Sequence, residues 1–185
     1  HFLDSLACVK AVDMSKVNRI MDIGTGAGFP GVPLKIAFPH LEACLLDSLK
    51  KRVNFLEETF QLLKLENITA IHGRAEEFAK NKAYRETYDL CVSRAVSNLA
   101  TLSEYCLPYV KTGGFFISYK SGTVQEEVEQ AQKAVKILGG KIQDVVYFQL
   151  PDSEIQRSLV VIEKIKATPG RYPRKAGTPL KEPLS

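Results

Sequence analysis

The sequence predicts an α/β protein with a seven-stranded, mostly parallel sheet, helices on both faces and a C-terminal antiparallel hairpin. Three observations lead to this prediction. Short apolar runs alternate with helical patterns along most of the chain. A glycine-rich turn directly follows the first predicted strand. The last two predicted strands have no helix between them, so they should pair antiparallel. This order differs from the six-stranded double repeat of a dehydrogenase.

The predicted elements follow one another regularly. Strands are predicted over residues 19–23, 43–46, 68–71, 88–92, 114–119, 143–150 and 158–165. Helices are predicted over residues 30–38, 50–65 and 99–110. A further helix should open at a capping box formed by Thr123 and Glu126 and end at Gly139 and Gly140. We expect residues 1–15 to be the end of a helical segment that starts before this chain, 16–167 the α/β domain, and 168–185 an irregular basic tail.

Composition fits one globular domain of 185 residues, 45% hydrophobic and 25% charged. The apolar stretches are of strand length, so no membrane span is predicted. The formal net charge of +4 is concentrated near the C-terminus, where residues 164–181 contain basic side chains and no acid. Cys8, Cys44, Cys91 and Cys106 are scattered among apolar neighbours, which predicts buried reduced thiols, no metal site and a cytoplasmic location.

The glycine-rich turn is the sharpest local motif, DIGTGAGFPG over residues 22–31. Its glycines, Gly24, Gly26 and Gly28, allow a tight turn against which a ligand can lie. The third glycine follows the second by two positions, whereas in the dinucleotide motif it follows by three positions. An acid, Asp22, before such a loop suits S-adenosylmethionine, a nucleoside with an amino-acid end and no phosphate. A dinucleotide site and a turn that binds nothing are the alternatives.

Other candidate residues follow the next strands. Asp47 ends the second strand, where a carboxylate can accept hydrogen bonds from both ribose hydroxyls. Ala75 and Glu76 follow the third strand and should border the adenine. Arg94 follows the fourth strand and should face the reaction centre as the catalytic residue. Lys120 ends the fifth strand, where we expect it to contact the substrate. For Asp47 and Glu76 the alternative is an acid at the start of a helix that binds nothing. For Arg94 the alternative is a surface ion pair.

The absence of two motifs narrows the range of possible methyl acceptors. Exocyclic amine methylation usually uses an Asn/Asp-Pro-Pro-aromatic loop after the fourth strand, but this chain has SRAV at residues 93–96. Methylation of pyrimidine carbon 5 needs a cysteine nucleophile there, and neither Cys91 nor Cys106 is suitably placed. A ring nitrogen such as guanine N7 needs neither device. We therefore expect transfer by in-line displacement without a general base.

Several motifs resemble one family, the bacterial glucose-inhibited division protein B family of 16S ribosomal RNA guanine-N7 methyltransferases. They are residues 1–6 (HFLDSL), 22–31 (DIGTGAGFPG), 45–56 (LLDSLKKRVNFL), 73–76 (GRAE), 93–95 (SRA) and 172–179 (YPRKAGTP). The resemblance implies cofactor contacts at Gly24, Phe29, Ala75, Glu76 and Arg94. It also implies 16S ribosomal RNA in the small subunit as the partner. Nothing in the sequence requires more than a monomer.

The basic tail fits the same partner. Arg171, Arg174 and Lys175 could contact phosphates, and Tyr172 could stack on a base. A solvated tail without a partner is the alternative. For the whole chain, the rival hypotheses are a nicotinamide-dependent oxidoreductase, a non-catalytic RNA-binding module, and a methyltransferase with a different acceptor.

Overall fold

The computed structural model describes residues 1–185 and contains one seven-stranded sheet. In chain order its strands are β1 (Arg19–Ile23), β2 (Glu42–Asp47), β3 (Ile68–His72), β4 (Tyr88–Ser93), β5 (Val110–Ser121), β6 (Gly140–Gln149) and β7 (Gln156–Lys164). Across the sheet they lie in the order β3-β2-β1-β4-β5-β7-β6. Strands β1 to β5 pair in parallel, and β7 pairs antiparallel with β5 and β6. The predicted sheet with its closing hairpin is confirmed.

Seven α-helices connect and cover the strands. They are α1 (Phe2–Leu6), α2 (Gly31–Ala37), α3 (Lys50–Leu62), α4 (Ala75–Phe78), α5 (Leu99–Cys106), α6 (Gln125–Ile137) and α7 (Thr178–Lys181). Short 3₁₀ helices lie at Ala7–Lys10, Met14–Lys16 and Leu107–Tyr109. None of these helices has both the length and the apolar character needed to cross a bilayer.

Alternation along the strands divides the core between the two faces of the sheet. On β1, Ile20 packs in the same cluster as Leu34 of α2 and Cys8 of the N-terminal segment. Its neighbour Met21 points to the opposite face and joins a cluster with Leu102 of α5. Both strand residues are fully buried, as expected for a parallel sheet covered on both sides.

The strand order reverses beside β1. From β1 the chain moves outward to β2 and β3, then returns to place β4 on the other flank of β1. The loops after β1 and β4 therefore leave the sheet in opposite directions and open a crevice at the carboxyl ends of these strands. Ligands of open α/β sheets bind at such a switch point.

Several predicted boundaries are wrong. Strand β6 starts at Gly140 and not at residue 143, and α3 ends at Leu62 and not at residue 65. The predicted helix 99–110 ends as an α-helix at Cys106, because Pro108 lacks the amide hydrogen that the helix would use. Strand β5 consequently starts at Val110, earlier than predicted. The predicted capping box is also absent: α6 begins at Gln125 without a side-chain cap. The helix ends at Ile137, two residues before Gly139, whose φ of 89° suits a glycine that follows a helix.

The C-terminal segment, residues 168–185, is mostly irregular apart from α7, and it packs on the α/β domain. Arg85 donates hydrogen bonds to the carbonyl oxygens of Thr168 and Tyr172 at 3.0 and 2.9 Å. Further on, the Thr101 hydroxyl of α5 donates to the Pro179 carbonyl at 2.9 Å. The Tyr172 ring is buried, so it is not available for stacking on RNA. These contacts fasten the segment to the α5 side of the sheet.

One ion pair anchors the middle of this segment. The Arg174 guanidinium donates through Nε and Nη2 to the carboxylate of Glu104, with Nη2 at 2.7 Å from Oε2. Glu104 lies on α5 and is fully buried. Arg174 Nη2 also donates to the Glu182 carbonyl. Nε and Nη2 of Arg174 thus serve to neutralise a buried carboxylate, and a contact of this residue with RNA phosphate stays a prediction.

Replacing Arg174 with alanine should destabilise the folded protein, because Glu104 would remain buried without its partner. Breaking a buried pair in this way costs up to about 3–5 kcal/mol. Urea unfolding measures the difference. Arg171, exposed and close in sequence, provides the control: Arg171→Ala should change the unfolding free energy by less than about 0.5 kcal/mol. Equal unfolding midpoints for the two variants would contradict the anchoring role.

Candidate active site

A cavity of about 430 Å³ opens at the carboxyl ends of β1, β2 and β4. We call it the first cavity. Five of the predicted cofactor residues line it, from four separate segments of the chain: Gly24, Asp47, Ala75, Glu76 and Arg94. Its volume lies within the usual range for small-molecule sites, and its wall mixes apolar side chains with a few charged groups. Four predicted cofactor residues, Asp22, Gly26, Gly28 and Phe29, do not line it.

The glycine loop shapes one side of the first cavity. Gly24 has a φ of 69°, and an added Cβ would lie 3.1 Å from the Cβ of Ala95. Gly28 serves a different purpose, because its missing Cβ faces Val32 and Leu56 at 2.6 and 2.8 Å. Gly24 therefore keeps the cavity wall open, whereas Gly28 allows the loop to pack on α2 and α3.

Asp22 lies beneath the loop and is fully buried. Its Oδ2 accepts hydrogen bonds from the Thr25 hydroxyl at 2.7 Å and from the Gly31 amide at 2.9 Å. The expectation of a cofactor contact at Asp22 is corrected by this placement: its carboxyl group fixes the two ends of the glycine loop. Burial raises the pKa of Asp22 to about 7, although the two hydrogen bonds act in the opposite direction.

Asp47 connects the glycine loop to the end of β2. Its Oδ2 accepts a hydrogen bond from the Gly26 amide at 2.9 Å, and its Oδ1 accepts one from the Leu49 amide at 3.0 Å. Arg52 of α3 donates to Oδ2 at 3.3 Å. The side chain is only 3% exposed, yet Asp47 lines the first cavity. Its orientation is therefore fixed before any ligand arrives.

Glu76 joins the first cavity to the C-terminal segment. Its Oε1 accepts a hydrogen bond from the Gly177 amide at 2.9 Å. Behind it, the buried Tyr109 hydroxyl donates to the Ala75 carbonyl at 2.6 Å. The start of α4 is thus held from two sides, by the 3₁₀ helix before β5 and by the C-terminal segment.

Arg94 lies where the first cavity meets the N-terminal segment. Its Nη2 is 3.2 Å from Oδ2 of Asp4 and 3.1 Å from Nδ1 of His1, and its Nη1 donates to the Ser5 hydroxyl at 3.3 Å. Phe29 packs edge-on against Phe2, with ring centroids 5.3 Å apart. Arg94 lines the first cavity, whereas Phe29 packs against the N-terminal segment.

A second cavity of about 630 Å³ adjoins the first and shares Arg94, Ala95 and Val96 with it. Lys120, predicted to contact substrate, lines this second cavity. Its ammonium group donates to Oε1 of Glu127 at 2.6 Å and to the Ser97 carbonyl at 2.7 Å. The shared wall places the two cavities side by side at the strand ends.

The remaining predicted RNA contacts lie away from both cavities. Arg171 and Lys175 are exposed on the C-terminal segment, and the Arg171 guanidinium lies 5.1 Å from the Tyr172 ring. Lys164, which the sequence counts among the basic residues, is fully buried. Its ammonium group bonds Glu86 and two backbone carbonyls, so it adds nothing to the surface charge.

The sequence missed three charged residues of the second cavity, Asp4, Glu127 and Arg157. Glu127 follows the residue assigned to the capping box, and a first-turn glutamate carries no signal of its own. Asp4 lies in a motif of the family resemblance, where its charge could have been noticed. Arg157 reaches Asp4 at 3.5 Å only because β7 pairs with β5.

Solved structures of low sequence identity share the fold. StiE O-MT superposes with a TM-score of 0.68 at 18% identity, covering 89% of this chain and 74% of that one. TYW2 from M. jannaschii, solved in complex with AdoMet, gives a TM-score of 0.61 at 15% identity, covering 80% and 69%.

The sheet order, with a cavity at its switch point, is that of the Rossmann-like methyltransferase fold. Within this class the chain matches the family model GidB, rRNA small subunit methyltransferase G, over residues 1–160. Proteins named ribosomal RNA small subunit methyltransferase G are 55% identical in Lachnoclostridium phytofermentans and 53% identical in Clostridium novyi, over 184 residues. Each alignment covers 100% of this chain and 76% of the relative. The chain belongs to this family.

The raised pKa of Asp22 predicts a pH-dependent stability. An unfolded aspartate has a pKa of about 3.9, so the folded state binds the proton more tightly. This contribution is complete below about pH 4 and is lost as the pH rises to about 7. Relative to Asp22→Asn, the wild-type unfolding free energy should therefore fall by up to about 1.4 kcal/mol per pH unit in this range.

Urea unfolding at pH 5 and pH 7 tests the sign. The exposed Asp144 provides a matched control, since Asp144→Asn should retain the wild-type difference between the two pH values. Parallel pH curves for wild type and Asp22→Asn would contradict the assignment.

Proposed function

We propose that this protein transfers a methyl group from S-adenosylmethionine to N7 of a guanine in 16S ribosomal RNA. The observation that carries the proposal is the pair of adjoining cavities at the strand ends, which share the wall formed by Arg94, Ala95 and Val96. One cavity suits the cofactor and the other suits an acceptor base. The family supplies the RNA class of the substrate.

The first cavity fits S-adenosylmethionine in shape and in donor and acceptor groups. Asp47 would accept hydrogen bonds from the ribose hydroxyls, and the start of α4, at Ala75 and Glu76, would border the adenine. The missing Cβ of Gly24 keeps the gap to Ala95 free, which would give room for the amino-acid end. Arg94 would hold the end of the cofactor nearest to the acceptor. In this assignment Asp22, Gly26 and Gly28 contribute by shaping the glycine loop. Phe29 contributes by packing against the N-terminal segment.

The reaction requires the chain mainly to position the two reactants. When bound, S-adenosylmethionine supplies a methyl group on a sulfonium, which a ring nitrogen can attack in line. Guanine N7 has a free lone pair and no proton to lose, so the chain need not supply a general base. Orientation of two reactants contributes roughly 7–11 kcal/mol where the geometry is good. Arg94, at the wall shared by the two cavities, is the residue placed to orient both.

The RNA would be held partly outside the cavities. Arg171 and Lys175 are exposed basic residues of the C-terminal segment and suit phosphate contacts, whereas Arg174 supports the segment that carries them. Lys120 lies inside the second cavity and is placed to contact the base itself. We propose that the enzyme acts as a monomer on the small ribosomal subunit in the cytoplasm.

Methyl transfer from labelled S-adenosylmethionine tests the reaction directly. The acceptor is small ribosomal subunits that lack their native N7-methylguanosine, with naked 16S RNA in parallel. We expect label in N7-methylguanosine, identified by mass spectrometry after nuclease digestion. Label in another nucleoside would overturn the assignment of N7. Cofactor binding without any transfer would keep the first cavity's role and remove the proposed acceptor.

Replacing Asp47 with alanine should weaken cofactor binding by on the order of 10- to 100-fold, because a charged acceptor for the ribose is lost. Calorimetric titration with S-adenosylhomocysteine measures the dissociation constant. Asp144→Ala, at the opposite edge of the sheet, is the matched control and should bind like wild type. Unchanged affinity in Asp47→Ala would exclude Asp47 from the site.

A further inference from the structure

We propose that Lys120 and Glu127 recognise the target base as guanine through its Watson–Crick edge in the second cavity. This inference rests on the proposed function, since it requires a guanine acceptor beside the first cavity. It adds the residues that would distinguish guanine from other bases. Neither residue belongs to the first cavity, so their effect on base choice is separable from cofactor binding.

The two side chains form a fixed donor–acceptor pair on the cavity wall. Lys120 lies near the end of β5, and Glu127 lies in the first turn of α6. The ammonium group is held by Oε1 of Glu127 and by the Ser97 carbonyl, while the side chains are 12% and 29% exposed. Such partial exposure on a concave wall leaves both groups able to contact a ligand.

Unpaired polar atoms in the same cavity provide independent support for a polar ligand. Asp4 lines the cavity with its side chain only 5% exposed. Both of its arginine partners, Arg94 and Arg157, contact Oδ2, while the buried Oδ1 has no hydrogen-bond partner. The buried Ser97 hydroxyl, also on this wall, has none. Buried polar atoms are nearly always paired in folded proteins, so these two leave hydrogen-bonding capacity beside this cavity for a polar ligand or an ordered water.

The order of donor and acceptor on the wall matches guanine. Guanine presents O6 as an acceptor next to the N1–H and N2–H donors, whereas adenine presents an amino donor next to the N1 acceptor. A lysine ammonium only donates, and a carboxylate only accepts. Lys120 would donate to O6, and Glu127 would accept from N1–H and the 2-amino group. Adenine in the same orientation would bring donor against donor and acceptor against acceptor.

Methyl transfer to N7 does not involve the Watson–Crick edge of guanine, so this edge is free to be recognised. N7 lies on the far side of O6 from N1, so reading N1 and the 2-amino group leaves N7 unobstructed. N7 can then face the wall shared with the first cavity. Enzymes that modify a base commonly bind it out of the helix and read its Watson–Crick edge in this manner.

The test compares acceptors that differ in one group. Small subunits are reconstituted with 16S RNA carrying guanosine or inosine at the methylated position, and kcat/KM is measured for each. Inosine lacks the 2-amino group but keeps O6 and N1–H. Wild type should prefer guanosine by on the order of tenfold, since a hydrogen bond to a charged group is lost. In Glu127→Ala this ratio should approach one. The exposed neighbour Glu126, outside the cavity, supplies the control Glu126→Ala, which should keep the wild-type ratio.

Lys120→Met gives a second, different signature. Because inosine retains O6, loss of Lys120 should lower kcat/KM on the order of tenfold for both acceptors and leave their ratio unchanged. Affinity for S-adenosylhomocysteine should stay at the wild-type value in both cavity variants. Inosine's effects on RNA structure are common to all enzymes tested and cancel when ratios are compared.

The outcomes separate the two proposals. If wild type forms no N7-methylguanosine on guanosine-bearing subunits, the proposed function itself fails. If wild type forms it but Glu127→Ala keeps the wild-type guanosine preference, only the recognition role is overturned. If Glu127→Ala proves too unstable to assay, an unchanged kcat/KM in Lys120→Met would by itself overturn the pairing with O6.

Discussion

The parallel pairing of β1 with β2 on one flank and with β4 on the other determines where the functional groups of this protein can lie. Loops that leave β1 and β4 turn away from each other, because the chain winds outward in opposite directions from this point. The crevice between them is where backbone and side chains from distant parts of the sequence converge. A different neighbour for β1 would leave the glycine loop without Asp47 on one side or Arg94 on the other.

Buried acids hold the rest of the site in place. Asp22 ties the two ends of the glycine loop, Glu76 accepts the Gly177 amide, and Glu104 binds Arg174. Asp4 performs the same task for Arg94. A buried carboxylate is costly unless its partners are in position, so each of these acids favours one arrangement of the segment that it contacts. The cavities therefore depend on electrostatic anchoring as well as on apolar packing.

Both ends of the chain contribute to the site through these anchors. The N-terminal segment carries Asp4 to the wall of the second cavity and packs Phe2 on Phe29. The C-terminal segment reaches back across 101 residues to Glu76 of the first cavity. RNA that bound the exposed Arg171 and Lys175 would contact the same segment that supports the cofactor cavity. The proposed RNA contacts and the first cavity are thus connected by one stretch of backbone.

The sequence by itself determined the strand and helix order, the closing hairpin and the glycine loop, because hydrophobic period and glycine spacing are local properties. It also located Asp47 and Arg94, since residues that end parallel strands must meet at one edge of the sheet. Only the tertiary structure decided that Asp22 lies beneath the loop, that Arg174 neutralises Glu104 and that Glu127 reaches a cavity. Burial and ion pairing depend on segments that lie far apart in the sequence, such as Glu104 and Arg174, which are 70 residues apart. A local sequence pattern does not predict which distant partner a charged side chain will contact.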